Sequence, residues 1–190
     1  EKYDEWKDDK NFVNDIMRFL DNILTDFIDR APEQFKDAKY SAMRERSVGL
    51  GVMGLHSYFQ KNMIPLESVM SKVWNKKIFK NIQEKADQAS KDLADERGAC
   101  PDAAEYNFKE RFSNKTAIAP TASISIICGG ASPGVEPIAA NSYTHKTLSG
   151  SYNVRNKYLE KILEKYGKND DETWSSITTN QGSISHLDFL

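Results

Sequence analysis

The chain has 190 residues, with 26 Lys and Arg against 28 Asp and Glu and a formal net charge of −2, so it gives no support for a broad nucleic-acid surface. No apolar run is long enough to span a membrane, and the 39% hydrophobic and 28% charged residues suit a soluble globular protein. Two cysteines, Cys100 and Cys128, are too few for a disulfide scaffold; with a charged N-terminus that is no signal peptide, they favour a reducing, cytoplasmic setting.

Phe12, Val13, Ile16, Leu20, Ile23, Leu24 and Phe27 recur at three- and four-residue steps, which predicts an amphipathic helix over 11–28 that Ala31-Pro32 ends. A second helix is expected from Ser41 to Lys61, with Met53, Leu55, Tyr58 and Phe59 inward and Ile64-Pro65 as the break. A third runs from Leu66 to Glu96, with Val69, Val73, Ile82, Ala86, Ala89 and Leu93 on its buried side and Gly98 as its stop. Residues 99–114 read as a polar connection with a turn of helix near Ala103. Val154 to Tyr166 reads as an amphipathic helix capped by Gly167, and Asp170 to Thr178 as a short one. This pattern contains one strand, Thr116 to Ala119. One strand is no sheet, so it must pair with a strand outside the chain or with one that the pattern hides.

The run TAIAPTASISIICGGASPGVEP, Thr116 to Pro137, is the most informative stretch. The strand stops at Pro120, a hydroxyl-rich turn follows at Thr121, Ser123 and Ser125, and then comes a loop built on Gly129, Gly130, Pro133 and Gly134. A strand that breaks at proline and re-enters as a helix presents unpaired backbone N–H groups, and these with the helix dipole suit a phosphate or carboxylate. Thr121 is a good N-cap residue type. Taken alone, the same residues better suit an ordinary strand–turn–helix join with a satisfied cap, because capping sequences greatly outnumber phosphate sites.

The string Ala-Pro-Thr-Ala-Ser-Ile-Ser, followed by Gly-Gly and Ser-Pro-Gly-Val-Glu-Pro, closely resembles a signature of the ribonucleotide reductase large, catalytic subunit. Arg44 to His56 (RERSVGLGVMGLH) is similar to that family's glycine-rich segment, and Glu96 to Pro101 (ERGACP) to its exit from a long helix. The resemblance runs from Tyr40 to Tyr158. Ser113-Asn114 stands where the family commonly shows Arg-Asn, so no role carries over from that arginine. The resemblance implies an α/β fold, a helix-rich fragment of a ten-stranded α/β barrel incomplete at both ends. The first residue, Glu1, is not methionine and the end is abrupt, which fits a fragment. Within it, 1–98 would be a helical portion, 99–150 the strand and phosphate-binding loop, and 151–190 a helical continuation.

The resemblance also implies an activity, the thiyl-radical reduction of ribonucleotides to deoxyribonucleotides for DNA synthesis. The substrate phosphates would fall on Pro120, Thr121, Ala122, Ser123 and Ile124. No cofactor is expected on this segment; a partner metallo-subunit or cobalamin would supply the radical. The expected partners are the ribonucleotide substrate, the remainder of the catalytic subunit, a second copy in a homodimer and a radical-generating small subunit, with no nucleic acid and no membrane. The alternative is a stand-alone helical anion-binding module without catalysis.

Other constellations point to structure. Gly49-Leu-Gly51-Val-Met-Gly54 matches the G-x-G-x-x-G dinucleotide fingerprint, but the polar Ser41 to Arg46 stands where that fingerprint needs a buried strand. The glycines are expected to serve helix packing instead. His56, His145 and His186 lack metal-ligand spacing, and His145-Lys146 is expected as a solvated surface pair. The family's radical cysteine lies in an N-x-C-x-E string that is absent here, so Cys100 and Cys128 are both expected to pack, Cys128 with Ile126 and Ile127. Glu136, without a partner, is expected as loop structure.

Overall fold

Two helices carry the architecture of this computed structural model, which describes residues 1–147 and 150–190, the side chains of His145 and Thr147 excepted. After a short α1 (Tyr3–Trp6), α2 (Phe12–Arg30) lies along α5 (Val69–Arg97). Val13 and Met17 of α2 share a buried cluster with Ala86, Ala89 and Leu93 of α5, and Phe112 closes it. The alanines leave room for close approach, and their burial with Leu93 is what holds a 29-residue helix against its partner. Ser68 caps α5 by accepting the Ser71 N–H at 3.2 Å, and Gly98 ends it. The first turn of α5 is not buried as expected: Val69 and Val73 are exposed, because the seam with α2 begins further along.

The single helix expected over 41–61 is two. After a 3-10 turn (Glu33–Phe35), α3 (Lys36–Glu45) ends where Arg46 turns left-handed at φ 44°, and α4 (Leu55–Lys61) begins after Gly54. Between them the chain is extended beside residues 114–117. Val48 donates to Asn114 O at 2.9 Å, Leu50 to Lys115 O at 2.9 Å, and Ala117 to Leu50 O at 3.1 Å, around a parallel bridge of Leu50 and Thr116. The strand expected over Thr116 to Ala119 is therefore only a single bridge at Thr116, and residues 48–50 are the partner that the pattern hid. Three glycines in six residues disfavour helix, and the extended form lets two backbones meet.

Beyond α6 (Pro101–Glu105) and α7 (Ala122–Ile127) comes an antiparallel hairpin, β1 (Ser142–Thr147) with β2 (Gly150–Arg155). Ser142 stands opposite Arg155 and Tyr143 opposite Val154. The helix expected from Val154 therefore starts three residues later, as α8 (Lys157–Lys165), where Asn156 accepts the Tyr158 N–H at 3.0 Å and stops the strand. Asp170 caps α9 (Asp171–Thr179) through the Thr173 N–H at 2.8 Å. Leu159 and Leu163 of α8 pack with Trp174 and Ile177 of α9 as a cluster of their own.

One carboxylate joins the larger half. Asp21, on α2, is fully buried, and three arginines from distant segments converge on it. Arg46 donates to its Oδ1 through Nε at 2.9 Å and Nη2 at 2.6 Å. Arg111 reaches Oδ1 at 2.9 Å and Oδ2 at 3.2 Å, and Arg97 reaches Oδ2 at 2.8 Å. Burial alone would raise the Asp21 pKa, but the hydrogen bonds from Arg111, Arg97 and Arg46 outweigh it and hold the carboxyl below its ordinary range.

Removing the charge while keeping the shape, Asp21→Asn, leaves the buried Arg46 and the largely covered Arg111 without their counter-ion and is expected to cost about 3–5 kcal/mol. Asp26→Asn, which breaks an exposed pair with Arg30, is expected to cost under about 1 kcal/mol. Because folding lowers the Asp21 pKa, its contribution is full above the ordinary aspartate value of about 3.9 and is lost as pH falls through the lowered folded value. Urea unfolding of both variants, and of the parent across that acid range, checks all three.

Candidate functional site

The Pro120 break delivers what the sequence suggested in outline, with different internal bonding. Thr121 sits in the left-handed region at φ 54°, an outlier for a β-branched residue. Its hydroxyl does not cap α7. Instead Thr121 Oγ1 accepts the Gly134 N–H at 2.8 Å, so the loop that follows α7 folds back and holds the turn. The first hydrogen bond of α7 is Ser125 N–H to Thr121 O at 2.9 Å. The amides of Ala122, Ser123 and Ile124 precede that bond and have no partner among the described residues, in an exposed stretch. A strained residue pinned by a neighbouring loop, followed by free amides, is the kind of arrangement found where a backbone is shaped for a ligand.

Ser125 is buried and turns its hydroxyl back to Ala122 O at 3.1 Å, so it does not join the amides. Ser123 is exposed beside them. A small recess of ≈ 90 Å³ adjoins the turn, bounded by Ile118, Ala119, Pro120, Gly134, Val135 and Glu136. Glu136 is exposed on this rim. A larger cavity of ≈ 630 Å³ lies elsewhere, among Tyr3, Trp6, Phe12, Leu50, Met53 and Ile82. Its walls are mainly apolar and aromatic, with Glu1, Lys2 and Lys157 also on the lining.

Sequence reasoning placed Cys128 in packing with Ile126 and Ile127. The structure corrects this: Cys128 is exposed at the edge of the larger cavity, and Ile126 and Ile127 are 55% and 83% exposed. α7 has six residues, and only Ser125 among them is buried, so its outer side faces nothing among the described residues. Cys100 is fully buried, as expected. His56 Nδ1 accepts the Ile138 N–H at 3.1 Å, and His186 Nε2 meets Ser176 Oγ at 2.8 Å. Lys146 is exposed; the side chain of His145 lies outside what is described. Among the described residues no group of three or more His, Cys, Asp or Glu could hold a metal ion.

The fingerprint glycines do pack closely, but against a strand rather than from within a helix. A Cβ at Gly51 would overlap the carbonyl oxygen of Ala117, and one at Gly49 would lie 3.0 Å from the Ala117 Cβ. Gly54 takes φ 79° to start α4, where its N–H donates to Ser132 O at 2.7 Å. Residues missed in the sequence thus include Ser132, whose hydroxyl accepts the Ser57 N–H at 3.1 Å and so caps α4 from 75 residues away. Its place after the paired Gly129-Gly130 offered no local signal.

The family described as ribonucleotide reductase, barrel domain, matches residues 1–112 and 104–190. The ribonucleoside-diphosphate reductase large subunit of Invertebrate iridescent virus 3 is 41% identical over 99% of this chain and 30% of its own length. That of Invertebrate iridescent virus 6 is 44% identical over 98% of this chain and 20% of its own length. Among solved structures, the Actinobacillus ureae class Id ribonucleotide reductase alpha subunit superposes with a TM-score of 0.89 and 37% identity, over 100% of this chain and 34% of that one. The chain therefore spans about a third or less of the length of these relatives.

Substitution at the glycines separates packing from cofactor binding. Gly51→Ala must push the Ala117 backbone away and Gly54→Leu must force a side chain into a left-handed position; each is expected to destabilise by about 1–3 kcal/mol. Neither is expected to change nicotinamide or flavin binding, because the parent should bind none. Calorimetric titration with NAD and FAD beside thermal unfolding checks this; binding by the parent that Gly54→Leu abolishes without unfolding would contradict it.

Proposed function

Since the chain belongs to the ribonucleotide reductase barrel-domain family, we propose that it forms part of the catalytic barrel of a large subunit that reduces ribonucleotides to deoxyribonucleotides, with Pro120, Thr121, Ala122, Ser123 and Ile124 receiving the substrate phosphates. The helix-rich α/β architecture fits that barrel, and the match along the whole chain favours it over an independent helical module. The observation that carries the reading is the turn itself: three unpaired amides follow a strained Thr121 at the position where the family signature falls. Their N–H groups would hold phosphate oxygens, and Ser123 would add a hydroxyl donor. Fixing the nucleotide by one end positions its sugar, and positioning of this kind can remove several kcal/mol from a barrier, up to about 7–11.

In this reading the chain's residues bind and orient; the radical and the reducing thiols come from elsewhere in the enzyme. A metallo-subunit or cobalamin would supply the radical. Among the described residues the donor set fits no metal, and two cysteines cannot be both a radical site and a separate redox pair. The remaining partners would be the rest of the catalytic subunit, a second copy and a radical-generating subunit. No helix among the described residues is long and apolar enough to cross a membrane; the proposed setting is the cytoplasm.

Crystals of the full-length polypeptide soaked with a nucleoside diphosphate are expected to show its phosphates against the amides of Ala122, Ser123 and Ile124. Phosphates bound elsewhere, with this turn empty, would contradict the assignment. Residues 1–190 alone are expected to form no deoxyribonucleotide with any radical source or reductant. In the full-length enzyme Cys128→Ser is expected to keep turnover and stability, since its thiol is exposed, whereas Cys100→Ser should keep turnover but lose about 1–3 kcal/mol through a buried hydroxyl. Loss of turnover in folded Cys128→Ser would show that its thiol takes part in the chemistry.

A further inference from the structure

The loop from Ser132 to Ile138 is pinned at three places, and two of the pins come from the start of α4. At its beginning the fully buried Ser132 is held by a reciprocal pair: Ser57 N–H donates to Ser132 Oγ at 3.1 Å and Ser132 N–H donates to Ser57 Oγ at 2.8 Å. In the middle, the Gly134 N–H donates to Thr121 Oγ1 at 2.8 Å. At its end, the Ile138 N–H donates to His56 Nδ1 at 3.1 Å. Between these points the loop closes on itself through Glu136 N–H to Pro133 O at 3.0 Å. A short loop tied at both ends is stiff, and its one bond to the turn is the bond that holds a β-branched residue at positive φ.

We infer that His56 is a positioning residue for the anion-binding turn: by accepting the Ile138 amide it fixes the loop whose Gly134 amide holds Thr121 in place. The inference rests on the proposed phosphate role of that turn. His56 touches neither the turn nor its ligand; it acts through the loop.

The chemistry of the ring makes this support conditional. Nδ1 accepts a hydrogen bond only while unprotonated, and in the imidazolium both ring nitrogens are donors. Protonation would set the Ile138 N–H against a second donor and release the end of the loop. Burial pushes the His56 pKa below its ordinary value, and no charged group adds to the shift: neither Lys61 at the end of α4, nor Glu136 on the loop, nor Lys157 at the start of α8. The support is therefore complete above the ordinary histidine value of about 6.5 and is lost as pH falls through the lowered folded value. The sign is diagnostic. A histidine acting on an anion by its charge would strengthen binding in acid, whereas this one weakens it.

Hydrogen exchange read by mass spectrometry tests it on the full-length polypeptide, with sulfate as the probe because sulfate keeps its charge across the range. Exchange is corrected for its intrinsic pH dependence. In the wild type, sulfate is expected to protect residues 121–127 at about pH 7.5, with apparent affinity falling about tenfold once the pH has dropped below the lowered folded value of His56. His56→Asn offers a non-titrating acceptor near the place of Nδ1 and is expected to keep the affinity at both pH values. His56→Leu is expected to bind about tenfold more weakly at both, with faster exchange at Gly134 and Ile138 even without sulfate. Wild-type exchange of the loop in His56→Leu, or wild-type affinity that rises in acid, would overturn the inference. If His56→Leu does not fold, the wild type against His56→Asn across pH decides alone. If sulfate protects none of residues 121–127 in the wild type, the phosphate role fails; loop exchange in the variants still judges His56, acceleration in His56→Leu supporting it and no change overturning it.

Discussion

A single buried carboxylate sets the geometry from which the rest follows. Asp21 alone cannot stay ionised in an apolar seam, and Arg46, Arg97 and Arg111 could not come together without it. The three arginines belong to the end of α3, the end of α5 and the segment before Asn114, so one anion on α2 gathers three remote parts of the chain. Arg46 stands two residues before Val48 and Arg111 three residues before Asn114. Satisfying Asp21 therefore brings the two extended segments side by side at the place where Val48 bonds Asn114. Arg111 also donates to the carbonyls of Arg97 and Gly98 at 3.1 and 3.0 Å, which ties off the open end of α5.

From that pairing the candidate site follows by short steps. Leu50 against Thr116 fixes the direction of the strand that runs into Pro120, and Gly51 lets the two backbones approach. Pro120 ends the pairing, and Thr121 turns left-handed. Five residues past the bridge, the chain enters α4, whose first turn grips the loop that in turn grips Thr121. The same extended segment that pairs with the strand thus also supplies the support for the turn at the end of that strand. The backbone is shaped from two sides, as a site that binds through amides requires, since amides cannot be re-aimed by choosing a rotamer.

Much of this was legible in the sequence where one helix buries one face. The spacing in α2 and the alanines of α5 found their helices within a few residues, and the Pro120 break located the turn. The 46–54 segment was not legible, because glycines that relieve a backbone contact look locally like glycines that relieve a helix contact. The hairpin was hidden for another reason: β2 is almost wholly exposed, so no alternation of polar and apolar residues marks it. Val154 was assigned to a helix for want of that alternation. Asp21 did leave a signal. It falls on the buried side of α2 with Val13 and Met17, and a charge on a buried stripe calls for a partner. The partners, 25, 76 and 90 residues away, could be found only in three dimensions. Cys128 failed on the same ground, since its apolar neighbours suggest a core that this chain does not build around α7.

The central claim is that Asp21 organises the paired strands and not merely its own helix. Native-state hydrogen exchange in Asp21→Asn tests it directly, with α8 and α9 as an internal reference because their cluster is separate. The account predicts faster exchange at Val48, Leu50 and Ala117 together with the end of α5, and unchanged exchange in α8 and α9. Acceleration confined to the turn of α2 around residue 21, with the amides of Leu50 and Ala117 as protected as in the parent, would contradict it.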